Sequence, residues 1–504
     1  MRQGRTWDYE ADVVVVGYGG AGAVTAITAH DLGAEVLILE RHKADTTAMI
    51  NHTPSSRMCG GFFLCATDPR KAADYLSWIS WGVTPRDCCE VMGKYMVTNE
   101  EYMRSLGGEV EPATGPDSVT EYGDLAPGSD GIYMVTHKDG GPGQFRVLMQ
   151  NIAERGIPVL FDHRGKQLVQ APDTREVLGV IAEHDGKEVH VKGKKAVVLS
   201  TGGFEWDEEM KLNFLRAYPS YFYCNPENEG DGIKMGQKAG AALWHMNTMS
   251  GRVLLYIKGV KPAFGARFPT PFVLVNKYGR RFATEPRDPD PAKYRSHGFW
   301  LECIKFDTQR VEYSHIPSYL IFDETARLKG PFARSMIRGL LPDGTIQYFY
   351  EWSEDNTAEI EKGWVIKEDT IEKLAINIAQ QDIENEGRMN VATLKGTIDT
   401  FNRYCQAGED PDFHRSPAAL IPLKTPPFYA LKMYPGGPNT QGGLKKNAKG
   451  QVLDPDGNVI PRLYAPGENG SYFGFLYPGG GNICENLVWG RVTGEMSAGE
   501  TPRE

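Results

Sequence analysis

Asp12-Val13-Val14-Val15-Val16-Gly17-Tyr18-Gly19-Gly20-Ala21-Gly22 opens the most informative stretch of this chain. The valine run suits a strand buried on both faces. Gly17, Gly19 and Gly22 fit GxGxxG. Ala23 to Leu32 reads as a helix, and Glu35-Val36-Leu37-Ile38-Leu39 as a second strand ending at Glu40. Strand, glycine turn, helix, strand and terminal acid fall within about 30 residues, the spacing of a βαβ unit that binds a dinucleotide. Gly17 allows the tight turn, Gly19 lets a pyrophosphate approach the backbone, and Gly22 lets the helix pack on the strand. Gly20 and Ala21 belong to the glycine turn, and the helix after it has N–H groups and a partial positive charge that suit phosphates. Glu40 can accept hydrogen bonds from ribose hydroxyls, and Arg41 beside it joins the candidate set. The motif alone does not separate NAD from FAD.

The rest of the chain narrows the class. At 504 residues it is too long for one core, so two or more domains are expected. The net charge of -10 argues against nucleic acid or an anionic membrane surface as partner. No apolar run reaches the ~20 residues of a membrane span. The polar N-terminus lacks a signal-peptide pattern, and a cytoplasmic setting is expected. The eight cysteines form no CxxC and no Cys/His cluster at zinc spacing, so no metal is expected. The stretch from Gly115 to Gly143, rich in Gly, Pro and Asp, reads as a surface excursion.

Three further segments repeat a strand-to-glycine or loop-to-glycine pattern. They are Ser55-Ser56-Arg57-Met58-Cys59-Gly60-Gly61, Lys195 to Glu205 with Thr201-Gly202-Gly203, and Leu463 to Glu468 with Gly467-Glu468. Asn228 to Met235, containing Gly230-Asp231-Gly232, and Phe272 to Phe282 complete an ordered series. Together they resemble the soluble fumarate reductase and 3-ketosteroid dehydrogenase flavoprotein superfamily over most of the chain. The resemblance implies an α/β fold: a Rossmann-type FAD-binding domain of the glutathione-reductase-like class, with an inserted α+β cap domain. The FAD-binding domain would comprise residues 1–250 and 425–504, and the cap residues 251–424. It also implies FAD, held by the glycine turn, Glu40, Arg41, Ser56 to Gly61, Thr201 to Gly203, Asp231, Gly467, Glu468, Asn482, Asn486 and Leu487. His52 lies farther from Gly60-Gly61 than the covalent-attachment pattern requires, so the FAD is expected to be non-covalent.

The same superfamily offers two catalytic designs. Tyr477-Pro478-Gly479-Gly480-Gly481 matches the Tyr-Pro-Gly-x-Gly loop of the ketosteroid dehydrogenases. By that resemblance the Tyr477 hydroxyl and the Gly481 N–H hold a ketone oxygen, as an oxyanion hole does. Tyr294 is then the cap-domain acid/base. The fumarate-type design places an arginine and a histidine where this chain has Pro478 and Gly474, and only Arg287 resembles its proton donor. The sequence therefore predicts an FAD-dependent oxidoreductase acting on a C=C bond conjugated to a ketone, a 3-ketosteroid-like ring above all. The alternatives are an unsaturated carboxylate substrate or a flavoprotein electron-transfer subunit. A small-molecule substrate and an external electron acceptor or donor are the expected partners. His297, His315 and Tyr133 are lesser candidates for proton relay or for lining the pocket.

Overall fold

The computed structural model describes residues 6–44, 53–114, 118–285, 295–340, 345–383 and 386–503. Strand β1 (Tyr9–Val16) takes up the valine run, and α1 (Gly20–Asp31) and β2 (Val36–Leu39) follow it. β1 and β2 pair in parallel, with Val13 opposite Val36 and Val16 opposite Leu39. All of β2 and the last four residues of β1 are buried. α1 is apolar almost all round because it has neighbours on both sides, the sheet on one and the C-terminal helix on the other.

On the other side of β1 runs β3 (Lys187–Leu199), also parallel, with Val16 opposite Leu199. The strand Val459–Tyr464 pairs in parallel with β3, so the C-terminal part of the chain completes the sheet begun at the N-terminus. Among the described residues this sheet has eight strands. Its order is Gln451–Leu453, Val459–Tyr464, β3, β1, β2, Val159–Leu160, with Val177–His184 and Arg164–Gln170 added antiparallel beyond β3.

A second, mainly antiparallel sheet is organised by β4 (Arg252–Leu255) and β5 (Phe428–Gly437). β4 and Ser318–Asp323 flank β5, and Phe272–Asn276 lies beyond. Its strands pack against helices Ile371–Gln381 and Val391–Ala407 through Val273, Val275, Leu374, Ile378, Leu394 and Phe401. Tyr319 is a buried residue of this sheet.

The predicted surface excursion is not one. Ile132–His137 is the middle strand of a third sheet, between Phe62–Ala66 and Val110–Pro112. The apolar residues Ile132, Met134 and Val135 carry that strand into the core, and they outweigh the turn-forming composition around them. Otherwise the chain has the mixed α/β architecture that the sequence predicts. Among the described residues no helix is long and apolar enough to cross a membrane.

Candidate active site

Two adjoining cavities meet at Ser55, Ser56 and Glu468. The narrower follows the glycine turn. Its walls include Gly17, Gly19, Gly20, Ala21, Glu40, Arg41, Ser56, Thr201, Gly202, Asp231 and Asn486. The turn is sterically closed. Gly17 has φ +104°, and a Cβ there would lie 2.4 Å from the Ser200 carbonyl oxygen. A Cβ on Gly20 would come within 2.8 Å of both Ser56 Oγ and Asn486 Nδ2, so only backbone forms that wall.

The donor set suits a dinucleotide. The α1 N-terminus, at Gly20 and Ala21, lines the cavity, with the Gly20 N–H donating to Ser56 Oγ (2.8 Å), and Glu40 stands at the end of β2. The Glu40 carboxylate accepts from Tyr18 N–H (2.8 Å) and His42 N–H (2.9 Å), which fixes it on the cavity wall. His42 is wedged between Glu40 (2.9 Å) and Glu227 (3.2 Å). Burial alone would lower its pKa, but the two carboxylates hold it up at about 9. Asp231 is already paired, bidentate with Arg164 (2.6 and 2.8 Å) and farther off with Arg41 (3.4 Å). It therefore orders the two arginines.

Five residues of the predicted cofactor set stand behind the cavities and do not line them. A Cβ on Gly22 would meet Gly17 O at 2.2 Å, the close helix-to-strand packing expected of it. Gly203 sits against Thr440 and Glu205, Gly467 against Ala21, and Arg57 and Leu487 are buried. Sequence reasoning missed Ser200, whose Oγ reaches Val16 O and Gly17 O (3.2 and 3.0 Å), and Arg164.

The larger cavity has a volume of about 460 Å³, in the usual range for a small-molecule site. Met58, Cys59, Gly60, Gly61, Glu468, Asn482 and Ile483 line the part adjoining the nucleotide cavity. Cys59 is no nucleophile here: Sγ donates to Ser56 O (3.0 Å), and burial pushes the thiol up to about 12. Val253, Ala266, Phe268, Phe299 and Met336 supply an apolar wall, and Arg252, His297, Tyr223 and Tyr477 bring polar groups to it.

Tyr477 precedes the C-terminal helix α2 (Gly481–Ala498). Gly480 caps α2 at φ +76°, with Phe63 backbone 3.2 Å from where a Cβ would be. The Tyr477 hydroxyl is buried and accepts from Asn482 N–H (3.0 Å). Burial raises the phenol's pKa well above its ordinary value, and the Arg252 charge opposes this. Gly481 is different from its predicted role. Its N–H donates to Pro478 O (3.0 Å), closing the turn that starts α2, and so is committed within the protein. Its small size does matter, since a Cβ would press on the Phe473 and Tyr477 rings at 2.8 and 3.0 Å.

His297 takes a central place. Its Nδ1 meets the buried Glu121 carboxylate, whose oxygens also accept the His297 backbone N–H (3.1 and 3.2 Å). Arg252 Nε–H donates to His297 Nε2 (3.0 Å). The imidazole stands edge-on to the Tyr477 ring, centroids 5.1 Å apart. Of the lesser candidates, Tyr133 instead bonds Glu100 (3.3 Å), and His315 is stacked on Phe282 with Nδ1 2.9 Å from Glu302 O. Tyr294, Arg287 and His52 lie outside the described residues.

The profile of the family described as FAD binding domain covers residues 12–483. The chain is similar to NADH:acrylate oxidoreductase of Vibrio harveyi, at 27% identity over 98% of this chain and 51% of that one. It is also similar to 3-oxosteroid 1-dehydrogenase of Mycolicibacterium smegmatis, at 30% identity over 67% of this chain and 59% of that one. It thus spans little more than half the length of these two relatives. In fold it is similar to the crystal structure of 3-ketosteroid delta1-dehydrogenase from Sterolibacterium denitrificans. There the TM-score is 0.77 at 19% identity, over 97% of this chain and 99% of that one. FAD is the cofactor, and the chain belongs to the FAD binding domain family, whose members among its relatives include 3-oxosteroid dehydrogenases and fumarate reductases.

Proposed function

We propose that this chain is an FAD-dependent oxidoreductase that forms or reduces a C=C bond conjugated to a ketone, with a 3-ketosteroid-like ring as the favoured substrate. The observation that carries the reading is the Tyr477 hydroxyl on the wall of the larger cavity. Asn482 N–H occupies one acceptor position on that oxygen, which leaves the O–H proton to donate to a ligand. A donor of this kind holds a carbonyl oxygen as charge gathers on it. The apolar wall from Val253 to Met336 suits a ring better than a short diacid. FAD supplies a two-electron acceptor or donor when bound.

The residues divide the remaining work. Tyr477 orients the carbonyl, and the apolar wall excludes water from it. Tyr294 is proposed to take or give the proton α to the carbonyl. The FAD is proposed to be held without a covalent bond, in a cytoplasmic protein that exchanges electrons with an external acceptor or donor. We assign residues 1–250 and 425–504 to the FAD-binding domain and 251–424 to the cap.

A second reading, reduction of an unsaturated carboxylate with Arg287 as proton donor, draws support from the three arginines that line the cavity, Arg252, Arg267 and Arg334. Paired assays separate the two. Purified holoprotein with an artificial acceptor should oxidise 3-ketosteroids, and with reduced viologen it should reduce cyclic enones faster than fumarate-like acids. Faster acid reduction overturns the ketone reading. No turnover despite bound FAD favours an electron-transfer subunit.

A further inference from the structure

The segments assigned to the FAD-binding domain and to the cap both hold the loop that carries Tyr477. From the former, Thr248 Oγ1 donates to Gly474 O (3.1 Å), and Ile79 O accepts the Leu476 N–H (3.0 Å). From the latter, the His297 imidazole stands edge-on to the Tyr477 ring, and a Cβ on Gly479 would lie 3.3 Å from His297 Cε1. Among these contacts Phe475 stacks on Trp81, with ring centroids 4.6 Å apart. The Arg216 guanidinium lies over the same Phe475 ring at 4.6 Å and over the Trp300 ring at 5.8 Å.

Both ends of this stack are firm. Trp300 opens the helix Trp300–Cys303, three residues beyond His297. It is buried, and a Cβ on Gly251 would lie 1.8 Å from its Cδ1, so it is seated on the backbone just before β4. The Tyr313 hydroxyl donates to Arg216 O (2.9 Å), so the cap holds residue 216 by its backbone as well. The Arg216 side chain is half-buried, and among the described residues it has no carboxylate partner and no hydrogen-bond acceptor. Burial lowers its pKa, and no counter-charge opposes this. The attraction of a cation so placed goes to the ring faces, on which a planar guanidinium stacks well.

We infer that Arg216 is a positioning residue for Tyr477, bridging Phe475 of the loop to Trp300 of the cap. The inference rests on the reading of Tyr477 as donor to a substrate carbonyl. Such a donor works only when it is aimed at the place where charge develops. A loop with glycines at 474, 479, 480 and 481 has little stiffness of its own to keep that aim. The bridge ties the loop to the same segment that supplies His297 and the apolar wall residues Val253 and Phe299. Phenol and wall thereby keep one relative placement. The missing counter-ion fits this role, because a carboxylate would draw the guanidinium off the rings.

The experiment measures, on FAD-loaded protein, enone turnover and the hydrogen exchange of peptides spanning residues 474–482. Arg216→Met keeps most of the bulk and removes the cation. Its flavin spectrum should stay native while kcat falls about 10-fold, the scale of a slight misplacement, and KM moves less than kcat. The loop amides should exchange faster, including the Asn482 N–H that is bonded to the Tyr477 hydroxyl. Arg216→Lys keeps a cation and should recover part of kcat. Phe475→Leu removes the ring face at the other end of the bridge and should show the same split between kcat and KM. In a Tyr477→Phe background Arg216→Met should lower kcat no further, because the hydroxyl it aims is gone. Native kcat with native exchange in Arg216→Met overturns the inference, as do losses that multiply in the double variant. If the native protein turns over neither ketones nor enones, the ketone reading fails and exchange alone decides the bridge. Faster loop exchange in Arg216→Met then upholds it, and unchanged exchange sinks it.

Discussion

His297 Nε2 accepts the Arg252 Nε–H at 3.0 Å while Nδ1 meets Glu121, so a single imidazole joins a buried carboxylate to a guanidinium on the cavity wall. The Tyr75 hydroxyl, itself fully buried, donates to the Glu121 backbone carbonyl (3.0 Å) and fixes that residue from behind. The acid is held from two sides before any ligand arrives.

Removing that acid should cost stability as well as function. Glu121→Ala removes the carboxylate that meets both the His297 backbone N–H and Nδ1. Leaving buried donors without an acceptor costs about 1–3 kcal/mol. The expected result is a clear fall in the urea midpoint, measured on FAD-loaded protein. A midpoint unchanged from the native protein shows that Glu121 does not anchor His297.

Tyr477→Phe separates a chemical role from a structural one. The ring, packed against Phe473 and His297, remains, but the hydroxyl is gone. Turnover of the preferred ketone or enone should fall roughly a hundredfold, the scale of losing one oxyanion donor. Asn482 N–H also loses its acceptor, at a cost of about 1 kcal/mol to the start of α2. Steady-state kinetics and thermal melting read the two effects separately. Near-native turnover with a lowered melting point reduces Tyr477 to a helix anchor.

Much of the nucleotide half was legible because independent local signals coincide there. The valine run, the glycine spacing and Glu40 each fix a different feature of one βαβ unit. The catalytic half was less so. Glu121 and His297 are 176 residues apart in sequence, and Arg252 lies 45 from His297, so no periodicity or spacing connects them. The Tyr-Pro-Gly-x-Gly match placed Tyr477 on the cavity wall, yet it could not reveal that Gly481 N–H turns inward to Pro478. Backbone direction within a glycine-rich turn is set by tertiary contacts, here the Phe63 backbone against Gly480, and leaves no trace in residue identity. The strand Ile132–His137 was masked by the glycines and prolines on either side of it.

The contact between α1 and α2 sets a strict limit on size. A Cβ on Gly490 would lie 2.6 Å from Val24 Cβ, and one on Gly494 would lie 2.6 Å from Thr28 Cβ. The two glycines, one helical turn apart, let α2 settle on α1, the helix that follows the glycine turn. Gly494→Val should push the helices apart at a cost of about 2 kcal/mol, as overpacking does. FAD should then be released at lower denaturant than in the native protein, seen as a rise in flavin fluorescence. Unaltered release shows that α2 can shift without disturbing the nucleotide site.

His42 gives the pH dependence. Its pKa in the folded protein is held up at about 9 by Glu227 and Glu40 against the effect of burial. In the unfolded chain an imidazole titrates near 6.5. Between these values the folded state binds the extra proton, so stability falls as pH rises. The contribution is fully present below about pH 6.5 and is lost as pH passes through about 9, amounting to roughly 3 kcal/mol for a shift of this size. The native protein should therefore lose urea resistance steadily from pH 6.5 to 9, and His42→Gln should lose less over the same interval. FAD affinity should follow the same course, because the His42 imidazole Nδ1 lies 2.9 Å from Glu40, which lines the nucleotide cavity. Parallel pH profiles for the native protein and His42→Gln exclude this imidazole as the titrating group.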